Sequence, residues 1–280
     1  MVSLLFGLLV GFSLGLTGGG GSIFAVPLLV YGLAMPAHEA VGVSLVAVGA
    51  TALAGAIVRL RRREVEIKTA LLFGVAGMIG APLGTGLGAK LPAELLLGGF
   101  ALLMLLVAVR MWRKAVRNPE EAKVVRAGEH ASDTAEGPAC RVNPAGGLTL
   151  TSRCALMLAL TGMITGLLSG LFGVGGGFLI VPALVLVASL PMHRAVATSL
   201  LVIAIISAAG SASYLLAGRP LALEVTALFV FGGLFGMGLG AKLSHRLAGP
   251  QLQKLFAVMM VSVAIYMLVH VLESVLRWNS

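Results

Sequence analysis

The stretch GFSLGLTGGGGSIFAVP occupies Gly11–Pro27, and a closely similar stretch, GLLSGLFGVGGGFLIVP, occupies Gly166–Pro182, 155 positions later. The same spacing continues without a gap through PAHEAVGVSL at Pro36–Leu45 and PMHRAVATSL at Pro191–Leu200. The chain therefore contains two copies of one unit. Each copy places a glycine cluster inside an apolar run, a pattern typical of transporters whose binding site lies between two repeats.

The composition predicts an integral membrane protein. Of the 280 residues 58% are hydrophobic and 11% are charged, and the mean hydropathy is +1.02, which leaves too little polar surface to cover a soluble globule. Most of the apolar stretches have the roughly 20 residues that a helix needs to cross hydrocarbon. They are Leu4–Leu33, Ala37–Val58, Ile67–Leu91, Ala93–Met111, Ala155–Leu190, Ala195–Ala217, Leu221–Leu243 and Leu252–Val275.

The net charge of +9 is a topology signal and does not indicate a nucleic-acid partner. The basic residues lie in loops beside the apolar stretches, at Arg59–Arg63 and around the centre of the chain. Both regions are therefore expected on the cytoplasmic side. The polar, aperiodic residues 113–152 are interpreted as a flexible cytoplasmic linker between a first repeat, 1–112, and a second, 153–280. Cys140 and Cys154 are assigned no role.

The length of the first stretch suggests how each repeat is inserted. As one helix, Leu4–Leu33 would measure about 45 Å, which exceeds a hydrocarbon core of about 30 Å. A break at Gly18–Gly21 gives two arms of about 12 residues that reach halfway across and return as a re-entrant hairpin. Each repeat then crosses the membrane three times, and the second copy is inverted. The alternative is a kinked first helix that crosses fully and gives parallel repeats.

Loop charges favour the inverted arrangement. A re-entrant Ala155–Leu190 leaves most basic residues of the second repeat inside and two outside, whereas a fully crossing segment reverses these positions and breaks the positive-inside bias. The predicted inside residues are Arg194, Lys242, Arg246 and Lys254, and the outside ones are Arg219 and Arg277. The fold class is thus an all-α polytopic membrane protein with two inverted repeats, each a Gly-broken first segment followed by three transmembrane helices.

The glycines fall into two classes. One class recurs every four residues on a helix face and lets neighbouring helices approach closely: Gly7, Gly11 and Gly15; Gly80, Gly84 and Gly88; Gly232, Gly236 and Gly240. The contiguous clusters Gly18–Gly21 and Gly175–Gly177 instead break the helix and leave N–H groups unpaired. In hydrocarbon such a break needs protein, water or a ligand, and an anion fits the positive end of the helix that resumes at Ser22 or Phe178. A purely structural kink is the alternative.

The polar residues near the breaks suit a small anion. All Asp and Glu residues lie at segment ends or in loops, so no embedded carboxylate offers a sodium site or a proton relay. His38 and His193 occupy equivalent places, where each could contact the anion, carry a proton, or cap the following helix. The candidate substrate-binding residues are Thr17, Gly18, Gly19, Gly20, Gly21, Ser22, Ser44, Gly173, Gly175, Gly176, Gly177 and Ser199.

Two further readings of these motifs are weaker. No strand, downstream acid or GKS/GKT accompanies the glycine clusters, so they do not indicate a nucleotide site. Gly42-Val43-Ser44 resembles an intramembrane serine-protease motif superficially, which leaves a serine hydrolase as a remote alternative. No metal site, cofactor or catalytic residue is expected.

The GLTGGGG-to-VP run, its second copy, and the P-x-H-x-A-V-x-x-S-L element that follows each resemble the TauE/SafE family of sulfite exporters. The resemblance covers the whole chain outside the linker. It implies transport of sulfur-containing anions, such as sulfite, sulfoacetate or thiosulfate, at a bacterial or archaeal inner membrane. Carried over to this sequence, it points to Gly18–Ser22 and Gly173–Gly177, with Ser44 and Ser199 behind them.

The function expected from sequence is therefore a secondary transporter of these anions that works by alternating access. A passive anion channel that uses the same breaks as a filter is the alternative. The expected partners are a sulfur oxyanion or organosulfonate and the lipid bilayer. The direction of transport, the coupling ion and the pairing of protomers into a homodimer are left open.

Overall fold

The computed structural model describes residues 1–117, 141–142, 148–149, 152–173, 176–188, 190, 192–244, 258 and 261–269. Within this part, the chain forms helices, apart from a two-residue antiparallel pairing of Arg141–Val142 with Leu148–Thr149. Five of the described helices are long and apolar enough to cross a membrane. The predicted class, a helical integral membrane protein, is confirmed.

The first half contains five helical segments. α1 spans Val2–Thr17, α3 Ala37–Arg61, α4 Ile67–Gly88 and α5 Ala93–Arg117. Between α1 and α3, α2 spans Gly20–Gly32 and changes winding along its length, from a 3₁₀ turn to one α turn to a π turn. α5 continues five residues past the predicted start of the linker, because nothing between Arg113 and Arg117 interrupts a helix.

The second half repeats this order. α6 spans Ser152–Phe172, α7 Gly177–Val187, α8 Met192–Leu216 and α9 Leu223–Ser244, and residues 261–269 form α10. Cys154, near the start of α6, is buried and disulfide-bonded. This corrects the expectation that it has no role. Cys140 lies outside the described residues, as do most residues of the predicted linker.

α1 and α2 form a helical hairpin. Gly21 lies against the backbone of Val10 and Leu14, and Gly32 near the other end of α2 lies against the Phe6 ring, so α2 runs back along α1. With 16 and 13 residues the arms are longer than the predicted 12. At 1.5 Å per residue α1 measures about 24 Å. The break lies near the middle of the run Leu4–Leu33, between α1 and α2, and the depth that the arms reach in a membrane stays a prediction.

α6 and α7 form the second hairpin, and each hairpin packs on a helix of the other half. Gly11 contacts Gly233 and Gly15 contacts Met237, so α1 runs parallel to α9. Gly166 and Gly170 contact Gly77 and Ala81 in the same way, so α6 runs parallel to α4. The stripes predicted to pack helices do so. Their glycines allow backbone to touch backbone.

α3 and α8 cross the centre of the molecule in opposite directions. Gly42 lies against Tyr214, and Gly49 lies against Ser207. The two helices occupy equivalent places in the two halves. Their outer surroundings are apolar: large side chains on α4 and α9 are exposed, Leu83 to 57% and Phe235 to 72%, as a surface facing lipid would be.

The charged loops lie at two ends of the helix bundle. The basic end holds the loop after α3 and the start of α8, which are joined by contacts of His193 with Glu64 and of Arg194 with Glu66. The opposite end, termed here the Met1 end, holds the loops around Lys90 and Arg219, where the guanidinium of Arg219 donates to Thr85 O. Arg194 and Arg219 therefore lie at opposite ends of α8.

Candidate functional site

The two glycine clusters form the tips of the two hairpins. α1 ends at Gly18, whose φ of 74° is left-handed and whose N–H donates to Leu14 O at 2.7 Å. α6 ends in the same way at Gly173, with φ 70° and a bond of 2.9 Å to Ser169 O. Glycine adopts this backbone conformation without the steric penalty of a Cβ. α7 then begins at Gly177, after Gly176 with φ 67°.

The tips meet each other and the central helices. Gly19 packs against the backbone of Gly177, and each would clash with the other if it carried a side chain. Gly18 contacts Val196 on α8, and Gly173 contacts Val41 on α3. These contacts are equivalent under the spacing of 155 residues, so each hairpin tip meets the central helix of the other half. Of the predicted glycines, Gly19 and Gly177 are thus brought into contact across the two tips, and Gly175 lies outside the described residues.

The polar residues of the first tip are occupied within the tip. The Gly20 N–H donates to Thr17 Oγ1 at 3.0 Å, and the Ser22 hydroxyl donates to Gly19 O at 2.8 Å. The 3₁₀ turn begins at Gly20, two residues before the predicted restart at Ser22. In this conformation Thr17 and Ser22 hold the tip in shape, which differs from the expectation that they face the anion.

Ser44 and Ser199 occupy equivalent positions in the two repeats but differ in their hydrogen bonds. Ser199 Oγ lies 2.7 Å from Gly18 O and 2.8 Å from Val196 O, so it ties the first tip to α8. Ser44 Oγ is fully buried and has no hydrogen-bond partner among the described residues. A buried hydroxyl without a partner costs about 1–3 kcal/mol, which a ligand oxygen could offset. Three more buried hydroxyls share this state: Thr69, Ser169 and Ser207.

The two histidines bind other elements of the structure. His38 Nε2 lies 3.2 Å from both Gly88 O and Leu91 O, so this nitrogen carries a hydrogen and caps the carboxyl end of α4. The expectation that His38 caps its own helix was wrong, because α3 has no side-chain cap. His193 Nε2 lies 3.4 Å from Glu64 Oε2.

A pocket at the Met1 end contains residues that the sequence did not mark as a site, among them Thr85 and Arg219. Its enclosed volume is about 10 Å³, which holds about one water molecule, and the empty space is about 190 Å³ when the open solvent at its mouth is included. The residues that line it are His38, Thr85, Gly88, Gly170, Arg219, Val41, Leu96 and Leu171. Arg219 is the single basic residue of its loop, and this was a sequence signal for the pocket. From the sequence it was interpreted only as a marker of membrane topology.

Within the described chain no base bonds to the Ser44 hydroxyl. The His38 ring is held by Gly88 O and Leu91 O. A nucleophilic serine needs such a base. The geometry therefore gives no support to the serine hydrolase alternative.

Comparison with known proteins identifies a family and several relatives named as membrane transporters. Residues 3–267 match the protein-family model described as "Sulfite exporter TauE/SafE". A "Probable membrane transporter protein" of Xylella fastidiosa strain Temecula1 is 36% identical over 93% of this chain and 91% of that protein. The "Probable membrane transporter protein YunE" of Bacillus subtilis is 28% identical over 88% and 89%, respectively. No solved structure matches.

Proposed function

Because the chain belongs to the TauE/SafE sulfite exporter family and is a membrane transporter, we propose that it is a secondary transporter that carries small sulfur-containing anions, such as sulfite, sulfoacetate or thiosulfate, by alternating access. The substrate site lies where the two hairpin tips meet. The observation that carries the proposal is the contact of Gly19 with Gly177, between two breaks contributed by opposite halves of the chain.

The surroundings of the tips favour an anion. Buried hydroxyl groups lie on the elements that contact the tips, and Ser44 and Ser169 have no partner in the described chain. Neutral donors of this kind can bind oxyanion oxygens, as the ends of broken helices do in other transporters. The described spanning segments carry acids only at their ends, at Glu39 on α3 and Glu224 on α9, so a cation would find no embedded counter-charge.

The way the tips are held supports alternating access. The first tip is tied to α8 by Ser199, whereas Ser44 makes no matching bond to the second tip. The second hairpin is therefore the one that moves more readily. Separation of Gly19 from Gly177 opens a path from one end of the bundle, and their contact closes it.

Transport assays with reconstituted vesicles test this function. We expect saturable uptake of at least one of sulfite, thiosulfate and sulfoacetate, and weaker uptake of taurine, which carries an added ammonium. Flux should be measured against membrane potential and substrate concentration. A linear, non-saturating current would indicate a channel, and no flux of any of these anions would contradict the proposal.

We also propose that the two repeats are inverted in the membrane, with both hairpins re-entrant. The antiparallel course of the equivalent helices α3 and α8 supports this arrangement, because one helix of such a pair enters from each side. The basic end, with Arg59–Arg63, Arg194 and Lys242, is then cytoplasmic by the positive-inside rule. The bacterial or archaeal plasma membrane is the proposed location.

Cysteine labelling tests the inversion at positions that are equivalent in the two repeats. Single cysteines replace Arg61 and Leu216, which end α3 and α8 and are both exposed, in a background without Cys140 and Cys154. An impermeant maleimide added outside intact cells is expected to label L216C and to leave R61C unlabelled until the cells are opened. Labelling of both from the same side would indicate parallel repeats.

Ser44→Ala tests whether the unpaired hydroxyl contacts substrate. The variant removes an oxygen that bonds to no described residue, so we expect unchanged or higher thermal stability. If Ser44 donates to the bound anion, the KM for uptake rises by about tenfold, because such a bond contributes about 1–3 kcal/mol. Ser262→Ala on α10, where the hydroxyl bonds only Val258 O within the described chain, is the control. An unchanged KM in Ser44→Ala would exclude Ser44 from the site.

A further inference from the structure

The two ends of the molecule place opposite charges at equivalent positions. Arg219 follows α8 as Glu64 follows α3, at the spacing of 155 residues. The preceding residues confirm the correspondence, since Arg63 and Gly218 both have a left-handed backbone, with φ 58° and 66°. The same spacing relates His38 to His193 and Arg59 to Tyr214.

At the basic end, the protein supplies its own carboxylate. Glu64 Oε2 lies 3.4 Å from Arg59 NH1 and 3.4 Å from His193 Nε2. Nearby, the Glu66 N–H donates to Thr198 Oγ1 at 3.0 Å, which joins this loop to α8. Arg59 and His193 at this end are therefore paired with an acid of the chain.

At the Met1 end, the position equivalent to Glu64 is occupied by Arg219, so a guanidinium replaces the carboxylate. Arg219 lies 5.3 Å from the ring centroid of Tyr214 and donates to Thr85 O at 3.2 Å. A guanidinium has five N–H donors, and within the described chain Arg219 forms no ion pair. The acid near Arg219 is Glu39, which follows His38 in the first turn of α3. The remaining donors are left for a ligand in the pocket that Arg219 lines.

The enclosed part of the pocket has room for about one water molecule, so an oxyanion would lie in its open mouth, beside Arg219. His38 lines the pocket and has its Nε2 hydrogen committed to two carbonyl groups, which fixes the ring and the turn after α4. Gly170 and Leu171, in the last turn of α6 before the second hairpin tip, also line the pocket. Val41, also in the wall, contacts Gly173 of that tip. A ligand here would therefore touch the second hairpin, one of the two whose tips form the proposed central site.

We propose that this pocket is a second anion-binding site, at the Met1 end, in which Arg219 binds a small sulfur oxyanion as it enters or leaves the central site. The proposal rests on the proposed function for the identity of the anion. Arg219 supplies the charge and paired donors, which match two oxygens of an oxyanion. The Glu64 carboxylate occupies the equivalent position at the other end, so the second site exists at one mouth only.

Equilibrium binding separates this site from the central one. Sulfite is titrated calorimetrically into the protein in lipid nanodiscs, with Cys140 and Cys154 replaced by alanine because sulfite attacks disulfides. We expect two bound sulfites in the parent protein and one in Arg219→Gln. Gly19→Ala, which alters the central site, should keep the sulfite that Arg219 binds. Arg219→Lys keeps the charge and should retain the second site with affinity lowered several-fold.

Lys90→Gln is the matched control, since it removes an exposed positive charge from the same end, outside the pocket. It should bind two sulfites. Binding in Arg219→Gln that equals the parent, or an equal loss in Lys90→Gln, would overturn the second site. Should Arg219→Gln fail to yield monodisperse protein, an unchanged affinity in Arg219→Lys would overturn it as well. Absence of transport with one sulfite still bound through Arg219 would instead count against the proposed function alone.

Discussion

Gly19→Ala and Gly177→Ala are each expected to reduce anion uptake by about tenfold or more. A methyl group at Gly177 would lie 2.5 Å from Gly19 O, and a methyl group at Gly19 would meet Gly177 O at least as closely. Backbone oxygens cannot rotate away, so the two hairpin tips must separate. Overpacking of this kind costs about 1–3 kcal/mol, and a cost of 1.4 kcal/mol corresponds to a tenfold change.

The measurement is the initial rate of uptake in vesicles that contain equal amounts of folded protein. Gly86→Ala is the control, because its added methyl group would have nothing within 4 Å among the described residues. We expect Gly86→Ala to transport like the parent. Normal transport by both Gly19→Ala and Gly177→Ala would show that the contact between the tips is not part of the transport cycle.

Gly11→Val and Gly166→Val are expected to abolish the folded protein. Gly11 packs against the backbone of Gly233 on α9, and Gly166 packs against the backbone of Gly77 on α4. In a bilayer the close approach of such helices supplies much of their attraction, since lipid removes the hydrophobic drive for association. A branched side chain at either glycine would force the helices apart along their whole length.

Size-exclusion chromatography after detergent extraction checks this prediction, with loss of the monodisperse peak as the expected result. Gly238→Val lies on α9 among the glycines of the stripe, but its side chain would have nothing within 4 Å in the described chain. This variant should behave as the parent does. A monodisperse, thermally stable Gly11→Val protein would mean that the packing of α1 on α9 does not hold the two halves together.

Much of the fold could be predicted from particular residues. The recurrence of the Gly18–Gly21 cluster as Gly173–Gly177 predicts a duplicated chain, and the four-residue spacing of Gly7, Gly11 and Gly15 predicts a helix face that packs on another. Both rest on local chemistry: a residue without a side chain breaks a helix when clustered and permits close contact when spaced. The end of α1 at Gly18 follows from the same property.

The site was less predictable, because partners lie far apart in the chain. Thr17 and Ser22 were expected to face an anion, but they bond within their own tip. Ser44 and Ser199 look identical in their motifs, yet Ser199 binds Gly18 O and Ser44 has no partner in the described chain. These differences depend on small shifts between helices, which the amino-acid pattern of either repeat does not carry.

Duplication, hydropathy and glycine spacing are properties of the chain itself, so its residues alone indicate a membrane transporter of the TauE/SafE family and predict two glycine breaks. The packing of the helices is what shows that each hairpin lies on the other half and that the tips meet at Gly19 and Gly177. It also brings Arg219 beside Thr85 in the pocket at the Met1 end. These contacts join residues more than a hundred positions apart, so they form only when the helices pack, and the local pattern of neither repeat encodes them.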